Sequence, residues 1–269
     1  MEIVVCIKQV PDVPTVRMDR ERMTIIREGV ESVINPLDYV AMEAALELRQ
    51  KIGGHVSIIT MGPPQSEVAL REALAAGADR AILLTDPAFA GADTLATSHV
   101  LAKAIGRLDP FPDMILCGMQ TTDSDTGHVG PQIAEELNIP QVWGVNEIHL
   151  EGEELMVKRL SDGLLDTMRV TLPALLAVTH ELCPVKDLPL GALETAFTAK
   201  DVIRWGMDDL GLKAEEVGFE GSATRVRRLR VPPPTRKGEM VSGPPQALVN
   251  CLIKKLEALS VLEEEDGNE

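Results

Sequence analysis

The chain has 269 residues, of which 26 are Lys or Arg and 42 are Asp or Glu, so its formal net charge is −16. A chain of this length can bury a core as one large domain, or as one domain with an appendage. Its hydrophobic fraction of 45% excludes a mainly disordered protein. The negative charge argues against a nucleic-acid backbone as the main partner, because phosphates would be repelled. No apolar run reaches the length of about 20 residues that a membrane-spanning helix needs.

The cysteines and the first residues predict a cytoplasmic protein. The cysteines form no CxxC pair, which suits neither a disulfide framework nor a zinc site and fits a reducing compartment. Residues 1–5 lack the basic segment that starts a secretory signal. Each cysteine lies in an apolar context and is expected to be a buried, inert thiol. These cysteines are Cys6, Cys117, Cys183 and Cys251.

The first half of the chain alternates short apolar runs with helical patterns. In chain order, the pattern predicts a strand at 3–7, a helix at 37–50, a strand at 55–60, a helix at 65–76, a strand at 80–85, a helix at 93–107, a strand at 113–117 and a helix at 129–137. Asp93 is the expected N-cap of the third helix. Such alternation is typical of βαβ units, and it predicts a parallel sheet with right-handed crossovers.

The pattern changes after residue 138. Strands are predicted at 141–150, 154–160, 164–172 and 175–179. The turn sequence Ser161-Asp162-Gly163 joins the second and third of them as a hairpin. The predicted fold class is therefore α/β, with a mainly parallel, doubly wound sheet that gains antiparallel strands late.

Residues beyond 181 are expected to lose this regular alternation. They carry prolines at 232–234 and 244–245, a last amphipathic helix at 245–262 and an acidic tail at 263–266. They also carry an arginine cluster, formed by Arg225, Arg227, Arg228 and Arg230. Two interpretations stay open: an arm that packs on another chain, or a linker with a helix that folds back on its own domain. The acidic tail is expected to be solvated.

Four loops lie where an open parallel sheet binds its ligands, at the carboxyl ends of strands and the starts of helices. They are residues 8–12, 35–38, 61–64 and 118–131. In the fourth, Asp123 and Asp125 can accept hydrogen bonds from ribose or adenine, and Thr126 offers a hydroxyl to a phosphate. Backbone N–H groups at the start of the following helix would also favour an anion. The fourth loop therefore predicts a nucleotide site, and the alternative is a well-capped polar loop without a ligand.

The pattern identifies no catalytic side chain and no metal site. It contains no recognisable Ser-His-Asp or Cys-His arrangement and no metal-ligand spacing. It also lacks GxGxxG and Walker A loops. His128 could contact a phosphate, although a structural role at the helix start is the alternative. The residues therefore favour a binding module, or an enzyme whose chemistry resides in a cofactor.

Five motifs follow one another along the chain: VCIKQVPD, INPLDYVAMEAALEL, TMGPP, LREALAAGADRAILL and CGMQTTDSDTGHVGPQIAEEL. In their order and spacing they resemble the beta subunits of electron transfer flavoproteins, and the match runs nearly from end to end. The resemblance implies a fold of the adenine nucleotide alpha hydrolase type, a heterodimer with an FAD-bearing alpha subunit, and a second adenine nucleotide held by this chain. The matching cofactor-binding residues are Cys6, Asn35, Pro36, Leu37, Asp38, Met61, Gly118, Met119, Gln120, Thr121, Thr122, Asp123, Ser124, Asp125, Thr126, Gly127, His128 and Val129.

The second nucleotide of this family is AMP in ordinary members and FAD in electron-bifurcating members. The form Asp-Thr-x-x-Val-Gly-Pro at 125–131 resembles the bifurcating and FixA-like group, which favours FAD. The resemblance then implies that NADH gives a hydride to this FAD, that one electron goes to the alpha-subunit FAD, and that the other reduces ferredoxin or flavodoxin. With AMP, the chain would belong to a carrier between dehydrogenases and a quinone-linked oxidoreductase.

Residues 182–200 resemble the family's partner-docking loop, which inserts an apolar side chain into an acyl-CoA dehydrogenase. Glu-Thr-Ala at 194–196 replaces the usual basic residues. The resemblance also implies a nucleotide-binding core at 1–200 and an arm at 201–269 that packs on the alpha subunit. A lone nucleotide-sensing domain of the universal-stress type is the alternative that the pattern alone leaves open. The candidate docking side chains are Leu188, Leu190 and Leu193.

Overall fold

The computed structural model describes residues 1–12, 17–19, 24–26, 32–151, 154–199, 201–227 and 238–259. The chain divides into two compact units, Met1–Arg227 and Arg228–Glu269. The strands of the first unit are β1 (Glu2–Cys6), β2 (Gln9–Pro11), β3 (Arg17–Asp19), β4 (Thr24–Ile26), β5 (Ser32–Ile34), β6 (His55–Met61), β7 (Arg80–Leu84), β8 (Met114–Gly118), β9 (Gln141–Glu151), β10 (Glu154–Ser161), β11 (Leu164–Val170), β12 (Ala174–Val178) and β13 (Ile203–Trp205). Its helices are α1 (Pro36–Ile52), α2 (Glu67–Ala76), α3 (Thr94–Gly106), α4 (Val129–Leu137), α5 (Leu190–Ala199) and α6 (Gly218–Gly221).

One large sheet organises the first unit. In the described part of the chain it has nine strands, in the order β11-β10-β9-β12-β8-β1-β6-β7-β13. Every neighbouring pair from β9 across to β13 is parallel. Strand β10 runs antiparallel to both β9 and β11. The predicted α/β class, with antiparallel strands added late to a mainly parallel sheet, is therefore confirmed.

Helices cover both faces of this sheet, which explains the continuous apolar runs in its central strands. In β1, Ile3 and Val5 belong to a buried cluster that includes side chains of α1 and α2. Val4 and Cys6, which alternate with them, belong to a second cluster that includes side chains of α3 and α4. A strand segment that is buried on both faces is expected to be apolar at each buried position, and β1 is apolar from Ile3 to Cys6, the four positions that are buried.

The predicted element boundaries agree closely with the structure in the first half of the chain. Asp93 caps α3 as predicted, because its Oδ1 accepts a hydrogen bond of 3.0 Å from the main-chain N of Ala96. Helix α1 begins at Pro36, one residue before the predicted start, since proline is well suited to the first helical position. The predicted helix at 65–76 begins as a 3-10 turn, Pro64–Ser66, and α2 follows it at Glu67.

The expectation that the regular alternation is lost beyond residue 181 is wrong for the region in which α5 is followed by β13. Strand β13 pairs in parallel with β7, with Ile203 opposite Ile82. A three-residue edge strand is too short to show a periodic pattern, which explains the miss. The short antiparallel pairs β2–β5 and β3–β4 were also not predicted. The packing of residues 201–269 on another chain stays a prediction.

The second unit contains α7 (Pro245–Ala258). This helix starts where the sequence predicts, but it ends at Ala258, before the predicted end at 262, and Leu259 is already outside it. Its side chains Val249, Leu252 and Ile253 are exposed. The predicted acidic tail, Arg228 and Arg230 lie outside the described residues. Among the described residues, no helix is long and apolar enough to cross a membrane.

Candidate functional site

The candidate site begins where β1 and β8 end. These strands are parallel neighbours, and their register finishes with Cys6 opposite Cys117. The two loops that follow therefore leave the same edge of the sheet side by side. The residues before α1 approach both loops, so three of the four predicted loops are joined by direct hydrogen bonds.

Asn35 is fully buried and ties these loops together. Its Nδ2 donates to the carbonyl of Gln120 at 3.0 Å, and its Oδ1 accepts from the main-chain N of Thr122 at 3.1 Å. Its own main-chain N donates to the carbonyl of Lys8 at 2.8 Å. One amide side chain thus fixes the backbone of the loop after β8 at two points.

Asp38 lies in the first turn of α1 and bridges the two strand ends. Its Oδ2 accepts from the main-chain N of Lys8, and its Oδ1 accepts from that of Gly118, each at 2.8 Å. Burial raises the pKa of this carboxyl to about 7, although the N–H groups of Gly118 and Lys8 pull the pKa down. A Cβ at Gly118 would lie 2.6 Å from Asp38 Oδ1, so the approach requires glycine at 118.

Asp123 is engaged inside the loop rather than left free. Its Oδ1 accepts from Lys8 Nζ at 2.7 Å and from Thr121 Oγ1 at 2.8 Å, and its Oδ2 also lies 2.7 Å from Lys8 Nζ. Burial raises the pKa of Asp123, but the Lys8 ammonium together with hydrogen bonds from Thr121 and Ser124 outweighs that effect, so the net pKa lies below its ordinary value. The predicted contact of Asp123 with ribose or adenine stays a prediction, alongside this observed role in the loop.

Several exposed groups of the loop lie at its far end, before α4. Asp125, Thr126 and His128 are exposed, and their side chains make no hydrogen bond to the described residues. Asp125 has φ 54° and Gly127 has φ 65°, which turn the chain into the helix. His128 does not cap α4 through its side chain, so the first N–H groups of that helix point out of its start. Carboxylate, hydroxyl and N–H groups are therefore available here to a polar ligand that carries an anionic group.

The remaining predicted cofactor residues lie around this cluster. Met61 is half-buried at the carboxyl end of β6, next to β1. Pro36 is exposed and Leu37 is half-buried against Gly118. The residues from 118 to 129 include the half-buried Met119 and the exposed Ser124, whose Oγ lies 2.8 Å from Thr121 Oγ1.

Two residues of this site had no role assigned from the sequence. Lys8 supplies the ammonium that holds Asp123, and Trp143 Nε1 donates to the carbonyl of Met119 at 3.3 Å. A lone lysine two residues beyond the end of β1, in a chain of net charge −16, is the signal that could have identified Lys8. Trp143 lies in β9, and no local pattern links it to a loop that precedes it by a whole helix.

The prediction of buried thiols is confirmed for two cysteines and wrong for the other two. Cys6 and Cys117 are buried, and burial raises the pKa of Cys6 to about 12 and that of Cys117 well above its ordinary value. Cys183 and Cys251 are only partly buried because they lie on peripheral segments. Even so, burial raises the pKa of Cys183 to about 11, so its thiol is unreactive at neutral pH.

The sequence comparisons agree with this arrangement. A family model described as the electron transfer flavoprotein domain matches residues 22–209, more than half of the chain. The chain belongs to the electron transfer flavoprotein family. The electron transfer flavoprotein subunit beta of Thermoanaerobacterium thermosaccharolyticum is 45% identical over 262 residues, which cover 97% of this chain and 100% of that protein. The predicted membership among the beta subunits is confirmed.

Two further relatives carry different names. Protein FixA of Azorhizobium caulinodans is 42% identical over 266 residues, covering 95% of this chain and 94% of that protein. The caffeyl-CoA reductase-Etf complex subunit CarD of Acetobacterium woodii is 40% identical over 264 residues, covering 97% of this chain and 100% of that protein. The chain therefore matches both proteins along nearly its whole length.

The segment that resembles the family's docking loop is fastened to the helices beneath it. Lys186 Nζ lies 3.0 Å from Glu47 Oε1 on α1, and Arg71 Nη1 on α2 donates to the carbonyl of Ala196 at 2.7 Å. Of the three candidate docking side chains, Leu190 is 84% exposed. The other two, Leu188 and Leu193, pack against the buried cluster of α1 and α2. The structure therefore leaves Leu190 as the candidate that a partner can reach.

Proposed function

We propose that this chain is the beta subunit of a heterodimeric electron transfer flavoprotein that works by electron bifurcation. In this proposal the chain binds FAD and the heterodimer oxidises NADH. One electron passes to the alpha-subunit FAD and the other to ferredoxin or flavodoxin. The observation that carries the proposal is the polar cradle at the ends of β1 and β8, where Asn35 and Asp38 hold a loop with unpaired ligand-binding groups.

The residues of the cradle fit an adenine nucleotide. Asp125 and Thr126 expose oxygen atoms that can bind ribose hydroxyls and phosphate. The start of α4 offers main-chain N–H groups, which attract phosphate locally although the whole chain carries a net charge of −16. A flavin held there would supply the hydride acceptance and one-electron transfer that protein side chains lack. The chain's own part is to bind the nucleotide and to fix its orientation.

FAD is favoured over AMP by the sequence of the same loop. Residues 125–131 have the form that resembles the bifurcating and FixA-like group, and proteins named FixA and CarD are similar over nearly the whole chain. The name of CarD associates that protein with a CoA-ester reductase. By analogy, we propose that the exposed Leu190 docks an acyl-CoA dehydrogenase or a similar flavoenzyme, or that electrons leave by a quinone route. Free thiols at all four cysteines fit a cytoplasmic heterodimer.

The decisive test is to identify the nucleotides of the purified heterodimer. This chain would be produced together with its alpha subunit, and the nucleotides released on denaturation would be identified and counted. Two FAD per heterodimer, with flavin bleaching on addition of NADH, are expected. One FAD and one AMP would overturn the bifurcation proposal and indicate a carrier between dehydrogenases and a quinone-linked oxidoreductase.

A substitution in the loop after β8 tests whether the second nucleotide binds in the cradle. Asp123→Asn removes the carboxylate that accepts from Lys8 and Thr121 and that we propose contacts the ribose or adenine, so we expect the heterodimer to lose most of its second nucleotide. Glu135→Gln makes the same change of charge at an exposed position of α4 and should retain the nucleotide. Full nucleotide content in Asp123→Asn would show that the loop is not the binding site.

A further inference from the structure

We infer that Asp38 is a positioning residue for the nucleotide, acting through the two loops that its carboxylate holds. The inference rests on the proposed function, because it requires a nucleotide in the cradle. It goes further by assigning to one carboxylate the contact that joins the main chain after β1 to the end of β8.

The position of Asp38 in the sheet supports this role. The register between β1 and β8 ends at Cys6 and Cys117, and beyond it the strands no longer pair with each other. The carboxylate of Asp38 then accepts one main-chain N–H from each side, that of Lys8 and that of Gly118. Asp38, which is only 4% exposed, thus joins the two strand ends by side-chain hydrogen bonds where the main-chain pairing between them stops.

An ionised carboxylate suits both donors best. Each oxygen of Asp38 faces an N–H group, and a carboxylate accepts strongly at both. Protonation turns one oxygen into a hydroxyl, which is a weaker acceptor, and an amide places there an NH₂ group, which cannot accept. The N–H group of Lys8 or of Gly118 would then have a weaker acceptor or none, and its loop would shift.

The charge state of Asp38 can change near neutral pH. Burial raises its pKa to about 7. The groups that face it are the thiols of Cys6 on β1 and Cys117 on β8, whose raised pKa values keep them neutral, and the ammonium of Lys8. Retention of the nucleotide should therefore weaken as the pH falls below about 7, because the protonated carboxyl holds only one loop well.

The test compares the rate at which the purified heterodimer releases its bound nucleotide, identified as FAD or AMP, at about pH 6 and about pH 8. We expect wild type to release it faster at the lower pH. Asp38→Asn should release it about tenfold faster than wild type at the higher pH, the size expected for one lost charge-assisted hydrogen bond. Its dependence on pH should also be smaller. The variant keeps His128 and any ligand phosphate, so the difference in pH profile isolates Asp38.

Two further variants distinguish positioning from general stability. Asp93→Asn alters a matched carboxylate, which accepts main-chain N–H groups from Ala96 and Thr224 away from the cradle, and it should leave the release rate unchanged. Gly118→Ala keeps Asp38 but brings a Cβ to 2.6 Å from its Oδ1, and it should speed release as Asp38→Asn does.

The outcomes separate the inference from the proposed function. A wild-type heterodimer that carries only the alpha-subunit flavin overturns both. A wild type that holds a second nucleotide, with a release rate independent of pH and matched by Asp38→Asn, overturns the positioning role and leaves the proposed function intact. Equal acceleration of nucleotide release by Asp93→Asn would also contradict the positioning role of Asp38, because the loss of a carboxylate far from the cradle would then have the same effect.

Discussion

The loop after β8 and the segment after β12 leave neighbouring strands of one sheet, yet they are held in opposite ways. The first is fixed from below by buried polar groups, Asn35 and Asp38, which bind its backbone. The second, which contains α5, lies on α1 and α2 through half-buried leucines and the surface ion pair of Lys186. Its most exposed leucine, Leu190, is 84% exposed.

This difference shows what each region is suited to hold. A small polar ligand needs donors and acceptors in fixed positions, and buried hydrogen bonds to the backbone provide that order. A protein partner needs an apolar side chain that stands clear of its own core. Variants that affect one region and spare the other test whether the loop after β8 holds the nucleotide and the segment after β12 holds the protein partner.

The largest effect is expected from Asn35→Ala. The substitution removes the bonds to the carbonyl of Gln120 and the N–H of Thr122, and it leaves both of these part-buried groups without that partner. We expect a loss of about 2–4 kcal/mol in the free energy of unfolding and a heterodimer largely free of its second nucleotide. Thermal unfolding and nucleotide analysis measure the two effects.

The matched control for this prediction comes from the other region. Leu190→Ala should retain the second nucleotide fully, while Asn35→Ala should still accept electrons from a dehydrogenase at the alpha-subunit flavin. If Leu190→Ala lost the nucleotide as well, the loop after β8 and the segment after β12 would not act independently, and the distinction drawn between them would be wrong.

The next effect separates two leucines of the docking segment. Leu193 packs against the core, so Leu193→Ala should cost about 1–2 kcal/mol, less than the cost at a fully buried site. Leu190→Ala should change the stability by less than about 0.5 kcal/mol and slow electron transfer from an acyl-CoA dehydrogenase. Urea unfolding and a dehydrogenase-coupled assay measure these quantities. Equal destabilisation by both variants would mean that Leu190 packs on its own chain.

The parts of this fold that follow from local pattern could be predicted from the sequence. The β-branched run of β1 is buried on both faces, and Asp93 caps α3 because an aspartate at that position satisfies free N–H groups locally. Strand β13 could not be predicted, since only its pairing with β7 orders so short a segment.

The candidate site also has a part that the sequence predicts and a part that it does not. Its loop was predicted from composition, since Asp, Thr and Gly precede a helix. Its internal contacts were not, because Asn35 and Gln120 are 85 positions apart and Lys8 and Asp123 are 115 apart. Only the adjacency of β1 and β8 brings those residues together. A sequence without known sheet order cannot supply that adjacency.

A smaller effect concerns pH, and the two carboxylates of the cradle should respond with opposite sign. Burial raises the pKa of Asp38 to about 7, whereas an unfolded chain has about 3.9. Between these values the folded state binds more protons, so the contribution of Asp38 to stability falls as the pH rises from about 4 to about 7. The pKa of Asp123 is lowered on balance, so its contribution is present above about pH 4 and lost as the pH falls below that value.

Unfolding midpoints of the heterodimer measured across pH would check both signs. The midpoint of Asp38→Asn relative to wild type should rise from about pH 4 to about pH 7, and that of Asp123→Asn should be reduced only above about pH 4. As the pH rises towards about 7, the wild-type heterodimer should therefore become slightly less stable to unfolding while it holds its nucleotide more tightly. A constant difference between wild type and Asp38→Asn would show that Asp38 does not titrate there.

The smallest effect is expected from Lys8→Met, which removes the ammonium that pairs with Asp123. The Lys8 side chain is 39% exposed, so water and salt screen the pair and its loss should cost less than about 1 kcal/mol. Nucleotide release should accelerate only a few fold, and added salt should reproduce much of that change in wild type. If Lys8→Met released its nucleotide as fast as Asn35→Ala, the buried polar groups would not be the main support of the loop. An exposed ion pair, rather than the buried polar groups beneath the loop, would then be what holds the cradle.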